Sequence, residues 1–271
     1  SIRVNPDIDP KTHPYISTGL KTSKFGIAIE DSLDAYIQAS KMKNIKVVGI
    51  DAHIGSQIFD LQPFEDSLVR LENLYYKLND LGINIEYIDI GGGLGIKYKD
   101  DDAPPSKADF ASKIIKIMKN INCNLILEPG RSLVGNAGYL ITKVVYEKKS
   151  NKKNFLIVDA GMNDILRPSL YSAYHKISKS IPSSDNKKVY DIVGPICETG
   201  DVLSYDAALN DIKLGENLVI HSAGAYGSVM SSNYNSRPKV PEVLVSGKNV
   251  NIIRKKETIN QILQNEVVID D

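Results

Sequence analysis

From Ser1 to about Asn136 short apolar runs alternate with amphipathic stretches, and this alternation is what most limits the fold. Residues 45–54, 85–90 and 124–128 are apolar runs of strand character. Between them, residues 32–42, 63–81 and 106–121 carry apolar side chains at helical spacing, with Leu68, Leu71, Leu74, Tyr75 and Leu78 on one stripe. Strands joined by crossover helices run parallel, so this half is expected to be α/β, built of βα units. A complete βα barrel takes about 250 residues. Only about half that length precedes a change of pattern, so the expectation is a partial (β/α)8 TIM barrel. Ser1-Ile2-Arg3-Val4-Asn5-Pro6 reads as a strand already under way and does not start with methionine. A truncated beginning is therefore expected.

After Ala137 the helical patterns largely stop. Residues 139–146, 155–158, 189–193, 217–221 and 250–254 read as short strands separated by turns. The division is thus 1–136 as the C-terminal part of the barrel and 137–271 as a C-terminal β-rich (all-β) domain; a return of the final segment to the barrel stays open. The charged run at 147–154 reads as a solvated hairpin tip rather than a basic binding patch. Formal net charge is zero, with 42% hydrophobic and 24% charged residues, so neither nucleic acid nor a membrane surface is an expected partner. Two cysteines, Cys123 and Cys197, are too few for a disulfide framework or a thiolate metal site; no metal is expected, and a reducing cytoplasm fits. No export signal is visible and no apolar window reaches the length of a membrane span.

Three clusters follow the carboxyl ends of strands, where parallel α/β folds place ligands. Gly91-Gly92-Gly93-Leu94-Gly95 lets the backbone approach an anion and present N–H groups, and equally fits a tight turn. Glu128-Pro129-Gly130-Arg131 offers a carboxylate for a protonated ring nitrogen and an arginine fork for a phosphate or carboxylate; a Glu–Arg salt bridge at a turn is the plain alternative. His53-Ile54-Gly55-Ser56 brings an imidazole and a hydroxyl to the same mouth, although a lone histidine is commonly structural. Together the three describe a site for a planar phosphorylated heterocycle.

In this order, and followed by a β domain, the three motifs resemble the alanine-racemase-like, fold-type III pyridoxal-phosphate (PLP) decarboxylases. Within that family the resemblance is to the branch acting on diaminopimelate. It runs through His13-Pro14-Tyr15-Ile16-Ser17-Thr18-Gly19, Lys24-Phe25-Gly26-Ile27, Asp159-Ala160-Gly161-Met162-Asn163 and Gly194-Pro195-Ile196-Cys197-Glu198-Thr199-Gly200-Asp201, and covers nearly the whole chain.

The resemblance implies pyridoxal 5'-phosphate as cofactor, held by His53, Ser56, Gly92, Gly93, Glu128, Pro129, Gly130, Arg131 and Tyr226. His53 would stack on the pyridine ring, Glu128 would keep its nitrogen protonated, and Ser56 and Gly93 would meet the phosphate. Substrate would be bound by Arg131, Arg167, Tyr171, Glu198 and Tyr226, with Cys197 as the catalytic residue that returns a proton after decarboxylation. The implied reaction, carried out by a longer parent, converts meso-2,6-diaminopimelate to L-lysine and CO2, the last step of lysine biosynthesis. Another fold-type III decarboxylase, for ornithine, arginine or carboxynorspermidine, is the alternative, as is a truncated non-catalytic relative. The family also implies a homodimer with the Cys-Glu segment entering the neighbouring subunit's active site. It holds the cofactor on a lysine in a Tyr-Ala-x-Lys-Ala-like segment, and no lysine here, Lys24 and Lys97 included, has that context.

Overall fold

Strands β1 (Ile2–Asn5), β3 (Gly49–Asp51), β4 (Tyr87–Asp89) and β5 (Asn124–Ile126) turn Ile2, Ile50, Ile88 and Leu125 into one hydrophobic core cluster, and their charged residues Arg3, Asp51 and Asp89 face the other way. In the computed structural model, which describes residues 1–9, 18–19, 23–184 and 186–269, the chain divides into two units, Ser1–Val134 and Gly135–Asp271. In the first, a short strand β2 (Ile27–Ala28) pairs outside β1, and the sheet order is β2-β1-β3-β4-β5, parallel throughout. Ile2, Ile50, Ile88 and Leu125 lie in register on one face, and Arg3, Asp51, Asp89 and Ile126 on the other. Alternation of side chains along each strand produces this separation.

Helices α1 (Ile29–Ser40), α2 (Gln62–Asp80) and α3 (Lys107–Met118) supply the rest of the core, with Tyr36, Leu68, Leu71, Leu78 and Ile114 packed among the strand isoleucines. Ser106 caps α3 by accepting from the Asp109 N–H at 3.0 Å, and Pro63 occupies the first turn of α2, where no N–H partner is lost. A four-residue helix α4 (Arg131–Val134) follows β5. The run 45–54 holds only three residues of regular strand. Beyond Asp51 the Ala52 N–H still donates to Asp89 O at 2.9 Å, but the chain then bends through His53 to reach the site, while Ala52 and Ile54 stay buried.

In the second unit six strands form a mixed sheet in the order β10-β9-β7-β6-β11-β8. Their spans are β6 (Leu140–Lys149), β7 (Asn154–Val158), β8 (Ile177–Lys179), β9 (Lys187–Val193), β10 (Val202–Asn210) and β11 (Asn217–Ile220). The end strands β10 and β8 approach each other, so the sheet curls into a nearly closed barrel around Val144, Leu156, Val158, Tyr190, Ile192, Leu218 and Ile220. Among the described strands of this unit, only β7 and β9 pair in parallel. A hairpin of β12 (Glu242–Ser246) and β13 (Asn249–Arg254) and two five-residue helices, α5 (Arg167–Tyr171) and α6 (Ile259–Leu263), complete the unit.

The charged run at 147–154 does form a hairpin, but its tip is shorter than the composition implies. Glu147, Lys148 and Lys149 belong to β6 and Asn154 to β7. Ser150 closes the turn through its N–H to Lys153 O at 2.9 Å and its hydroxyl on the Lys153 N–H at 3.1 Å.

Candidate cofactor and substrate site

The three strand ends of the first unit are tied to one another by hydrogen bonds. His53, two residues past β3, accepts on Nδ1 from the Gly92 N–H at 3.1 Å. That acceptor role requires a neutral Nδ1 and leaves the proton on Nε2. Burial, reinforced by the Arg3 charge, pushes the His53 imidazole below its ordinary value, with Asp89 pulling the other way, so the neutral form suits the geometry. Behind the ring, Thr18 Oγ1 donates to His53 O at 2.7 Å and Arg3 Nη2 does so at 3.4 Å. Thr18 and Gly19 are the described part of the segment 13–19; residues 13–17 lie outside the described residues.

The Gly-rich loop after β4 is built by close approach. A Cβ at Gly92 would sit 2.2 Å from Glu128 O, and one at Gly93, where φ is +110°, would sit 2.3 Å from Gly55 O. Asp89 Oδ1 accepts from Gly91 N at 2.8 Å, Gly91 O accepts from Glu128 N at 2.8 Å, and Gly95 N donates to Ile58 O at 3.0 Å. Ile58 N returns a bond to Gly93 O at 3.0 Å, making an isolated parallel bridge between Ile58 and Leu94. In such a bridge the peptides flanking Leu94 make the bonds and its own N–H points away. The Leu94 N–H is therefore directed away from Ile58.

Arg131 opens α4 and is only 6% exposed. Its Nη1 donates to Tyr98 Oη at 2.6 Å and its Nη2 to Ser56 Oγ at 3.0 Å. The fork thus spans the β3 end and the segment after the Gly-rich loop. Ser56 spends acceptor capacity on Arg131 and keeps its own O–H as a donor. Glu128, Pro129 and Gly130 are exposed on the approach to α4. Below them burial and the neighbouring Asp89 and Glu128 carboxylates push Asp51 up, opposed by Arg3.

In the second unit Cys197 and Glu198 lie exposed in the loop between β9 and β10, and Glu198 Oε2 accepts from Tyr234 Oη at 2.7 Å. The loop is folded around the buried Asp201. Its Oδ2 accepts from Ile196 N at 2.7 Å, its Oδ1 from Met162 N at 2.6 Å, and Gly194 N donates to Asp201 O at 3.0 Å. A Cβ on Gly194 would sit 2.2 Å from the carboxylate. Burial pushes Asp201 up, against the pull of the Ile196 and Met162 N–H groups.

Arg167 and Tyr171 bracket α5; Arg167 is buried and bonded to His175 at 2.8 Å, and Tyr171 is half-buried. Tyr226 takes a positive φ of 58°. Sequence reasoning did not single out Tyr98, Asp89, Thr18, Asp201, His175 and Tyr234, which the structure bonds to predicted site residues or to the motifs that bear them. Asp201, Asp89 and Thr18 stand inside or beside the motifs themselves, whereas Tyr98, His175 and Tyr234 carry no local signal and are found only through their partners.

Residues 1–135 match the family described as "Pyridoxal-dependent decarboxylase, pyridoxal binding domain". The chain is 51% identical to a diaminopimelate decarboxylase of Aquifex aeolicus over 264 residues, covering 97% of this chain and 63% of that protein. It is 51% identical to one of Neisseria meningitidis over 267 residues, covering 98% and 65%. A crystal structure of the Helicobacter pylori diaminopimelate decarboxylase complexed with L-lysine superposes with a TM-score of 0.91 at 42% identity, over 97% of this chain and 65% of that one. The chain thus spans 63–65% of the length of these relatives. Among the described residues no helix is long and apolar enough to cross a membrane. With these matches and the partial barrel, the Gly-rich loop and the β domain in place, the chain belongs to the fold-type III pyridoxal-dependent decarboxylases.

Proposed function

We propose that this protein, at its full encoded length, decarboxylates meso-2,6-diaminopimelate to L-lysine and CO2 with pyridoxal phosphate. The carrying observation is the junction of three strand ends, Gly92 on His53 and Arg131 on Ser56, at 3.1 and 3.0 Å. That junction fits the cofactor: the cradle at Gly92 and Gly93 has no room for a Cβ, the His53 imidazole is bonded to its Gly92 N–H, and the Ser56 hydroxyl next to Gly55 is held by Arg131. The diaminopimelate decarboxylase relatives and the lysine-bound structure support the substrate.

Ser56 Oγ–H and the N–H groups of Gly93 and Leu94 would hold the phosphate, and Arg131 fixes the Ser56 hydroxyl. His53 would present its neutral ring to the pyridine face. Glu128 would accept a hydrogen bond from the ring nitrogen and so hold its proton there. Pyridoxal phosphate, when bound, supplies an electron sink for the pair left on the α-carbon as CO2 departs. Cys197 Sγ–H returns a proton to that carbon. Arg167, Tyr171, Glu198 and Tyr226 would bind the distal amino-carboxylate end, where an arginine meets the carboxylate and an acid the amine. The same reading includes a cytoplasmic homodimer.

The test supplies the purified full-length protein with pyridoxal phosphate and meso-diaminopimelate and measures L-lysine and CO2 in equal amounts. No lysine, with turnover of ornithine, arginine or carboxynorspermidine, rejects the substrate. No turnover of any of them, with pyridoxal phosphate still bound, marks a binding protein. Light scattering reads the dimer.

A further inference from the structure

Arg167 Nη1 and His175 Nε2 lie 2.8 Å apart in the second unit, with the two residues 7% and 1% exposed. A guanidinium has only donors, so Nε2 must be the acceptor and the imidazole proton sits on Nδ1. There Nδ1–H meets His221 O at 2.9 Å. Both ring nitrogens are thereby assigned, and the imidazole is neutral.

The support behind His175 is backbone. His221 follows β11, His175 precedes β8, and the pairing of those strands continues one step further through His221 N to Lys176 O at 2.8 Å. The His221 ring is itself held, Nε2 to Ser178 Oγ at 2.8 Å and edge-on to Tyr139 with centroids 5.3 Å apart. The carbonyl that orients His175 is thus fixed by the sheet, and through it the fork of Arg167 is fixed as well.

We propose that His175 is a positioning residue that sets the Arg167 guanidinium to receive the carboxylate which the substrate retains. The proposal rests on the decarboxylase reading of the site. An imidazole suits this role because it fixes the plane of the fork through one bond and adds no negative charge of its own to compete with an incoming carboxylate. A preorganised fork loses less freedom when the ligand binds.

L-Lysine and cadaverine separate the role from general damage, because both carry two amines and only lysine carries a carboxylate. Calorimetry on the full-length holoenzyme is expected to show His175→Leu weakening L-lysine about tenfold, the loss of one charge-assisted hydrogen bond. Cadaverine affinity stays within about twofold, and His175→Gln, whose amide oxygen reaches toward the place of Nε2, recovers most of the lysine affinity. In kinetics KM for meso-diaminopimelate rises more than kcat falls. Parallel weakening of lysine and cadaverine, or unchanged lysine affinity, overturns the proposal. Where His175→Leu does not fold, His175→Asn replaces it: its shorter amide does not reach Arg167, so lysine must bind more weakly than in His175→Gln, and equal affinities overturn the proposal. A wild-type protein that binds cadaverine as tightly as L-lysine removes the substrate reading itself, a result distinct from all of these.

Discussion

Arg131 Nη2 donates to Ser56 Oγ across 3.0 Å although 75 residues separate the two in sequence. The contact changes what an arginine at the end of the Glu-Pro-Gly-Arg turn is for. Its guanidinium spans Ser56 and Tyr98 and aims the serine hydroxyl, which sits at the cradle of the Gly-rich loop.

Tyr98→Phe is therefore expected to act at the cofactor without touching it. Removing the acceptor at 2.6 Å from Arg131 Nη1 leaves a buried charged donor short of one bond, a loss of about 1.5–3 kcal/mol. Part of it will appear as weaker pyridoxal phosphate binding, read by fluorescence titration of the apoprotein, and part as a lower urea midpoint. Arg131→Lys should be worse, since an ammonium cannot span both partners. Tyr98→Phe with wild-type affinity and stability would show that the fork needs only Ser56.

Gly92→Ala places a methyl group 2.2 Å from Glu128 O, which is backbone and cannot swing aside. The expected cost is about 1–3 kcal/mol of stability as the loop shifts. Gly93→Ala adds the strain of φ +110° to a contact of 2.3 Å and should lose more. Both are expected to lower pyridoxal phosphate affinity by more than they lower stability, because on the proposed reading the shift displaces the peptides that hold the phosphate. Denaturation and cofactor titration of the same samples compare the two losses.

His53 supplies a pH signature. Its folded value lies below the ordinary 6.5, so between that ordinary value and the folded one the unfolded chain carries a proton that the native chain does not. Stability must then fall as pH drops from about 6.5 through this window and level off below the folded value. Protonation at Nδ1 also expels the Gly92 N–H, so cofactor affinity should fall on the same acid limb. His53→Gln removes that segment of the slope from a pH series of denaturation midpoints. A slope unchanged in the variant would mean that another group titrates there.

Much of this arrangement was legible because local pattern and burial agree in the first unit. The apolar runs that hold Ile50, Ile88 and Leu125 announce the strands of the sheet, and helical spacing announces the helix that starts after Ser106. The motifs at 53–56, 91–95 and 128–131 stand where a parallel sheet must end, so their convergence followed from topology. Strand β10 did not show itself: Asp206 takes φ of 49° and register shifts interrupt its pairing with β9 on both sides of Ser204, which breaks the two-residue alternation. Tyr98 and His175 were invisible for another reason. Each matters through a partner brought to it by the fold, and neither neighbourhood in sequence differs from ordinary loop.

Asp201 clamps the loop that bears Cys197. Its two carboxylate oxygens accept from Ile196 N at 2.7 Å and Met162 N at 2.6 Å, which pins the segment bearing Cys197 and Glu198 to the loop after β7. Asp201→Asn keeps the size but turns one oxygen into an amide nitrogen, so a donor faces a donor. One hydrogen bond is lost and one buried N–H is left without an acceptor, about 1–3 kcal/mol in all. On the proposed reading Cys197 then sits on a loosened loop, and kcat for meso-diaminopimelate should fall while pyridoxal phosphate affinity, which that reading rests on His53, Ser56 and the Gly-rich loop, stays close to wild type. Equal losses in both would mean that the substitution unfolds more than its own loop; near-wild-type kcat would count against a proton donor on the segment that this clamp holds.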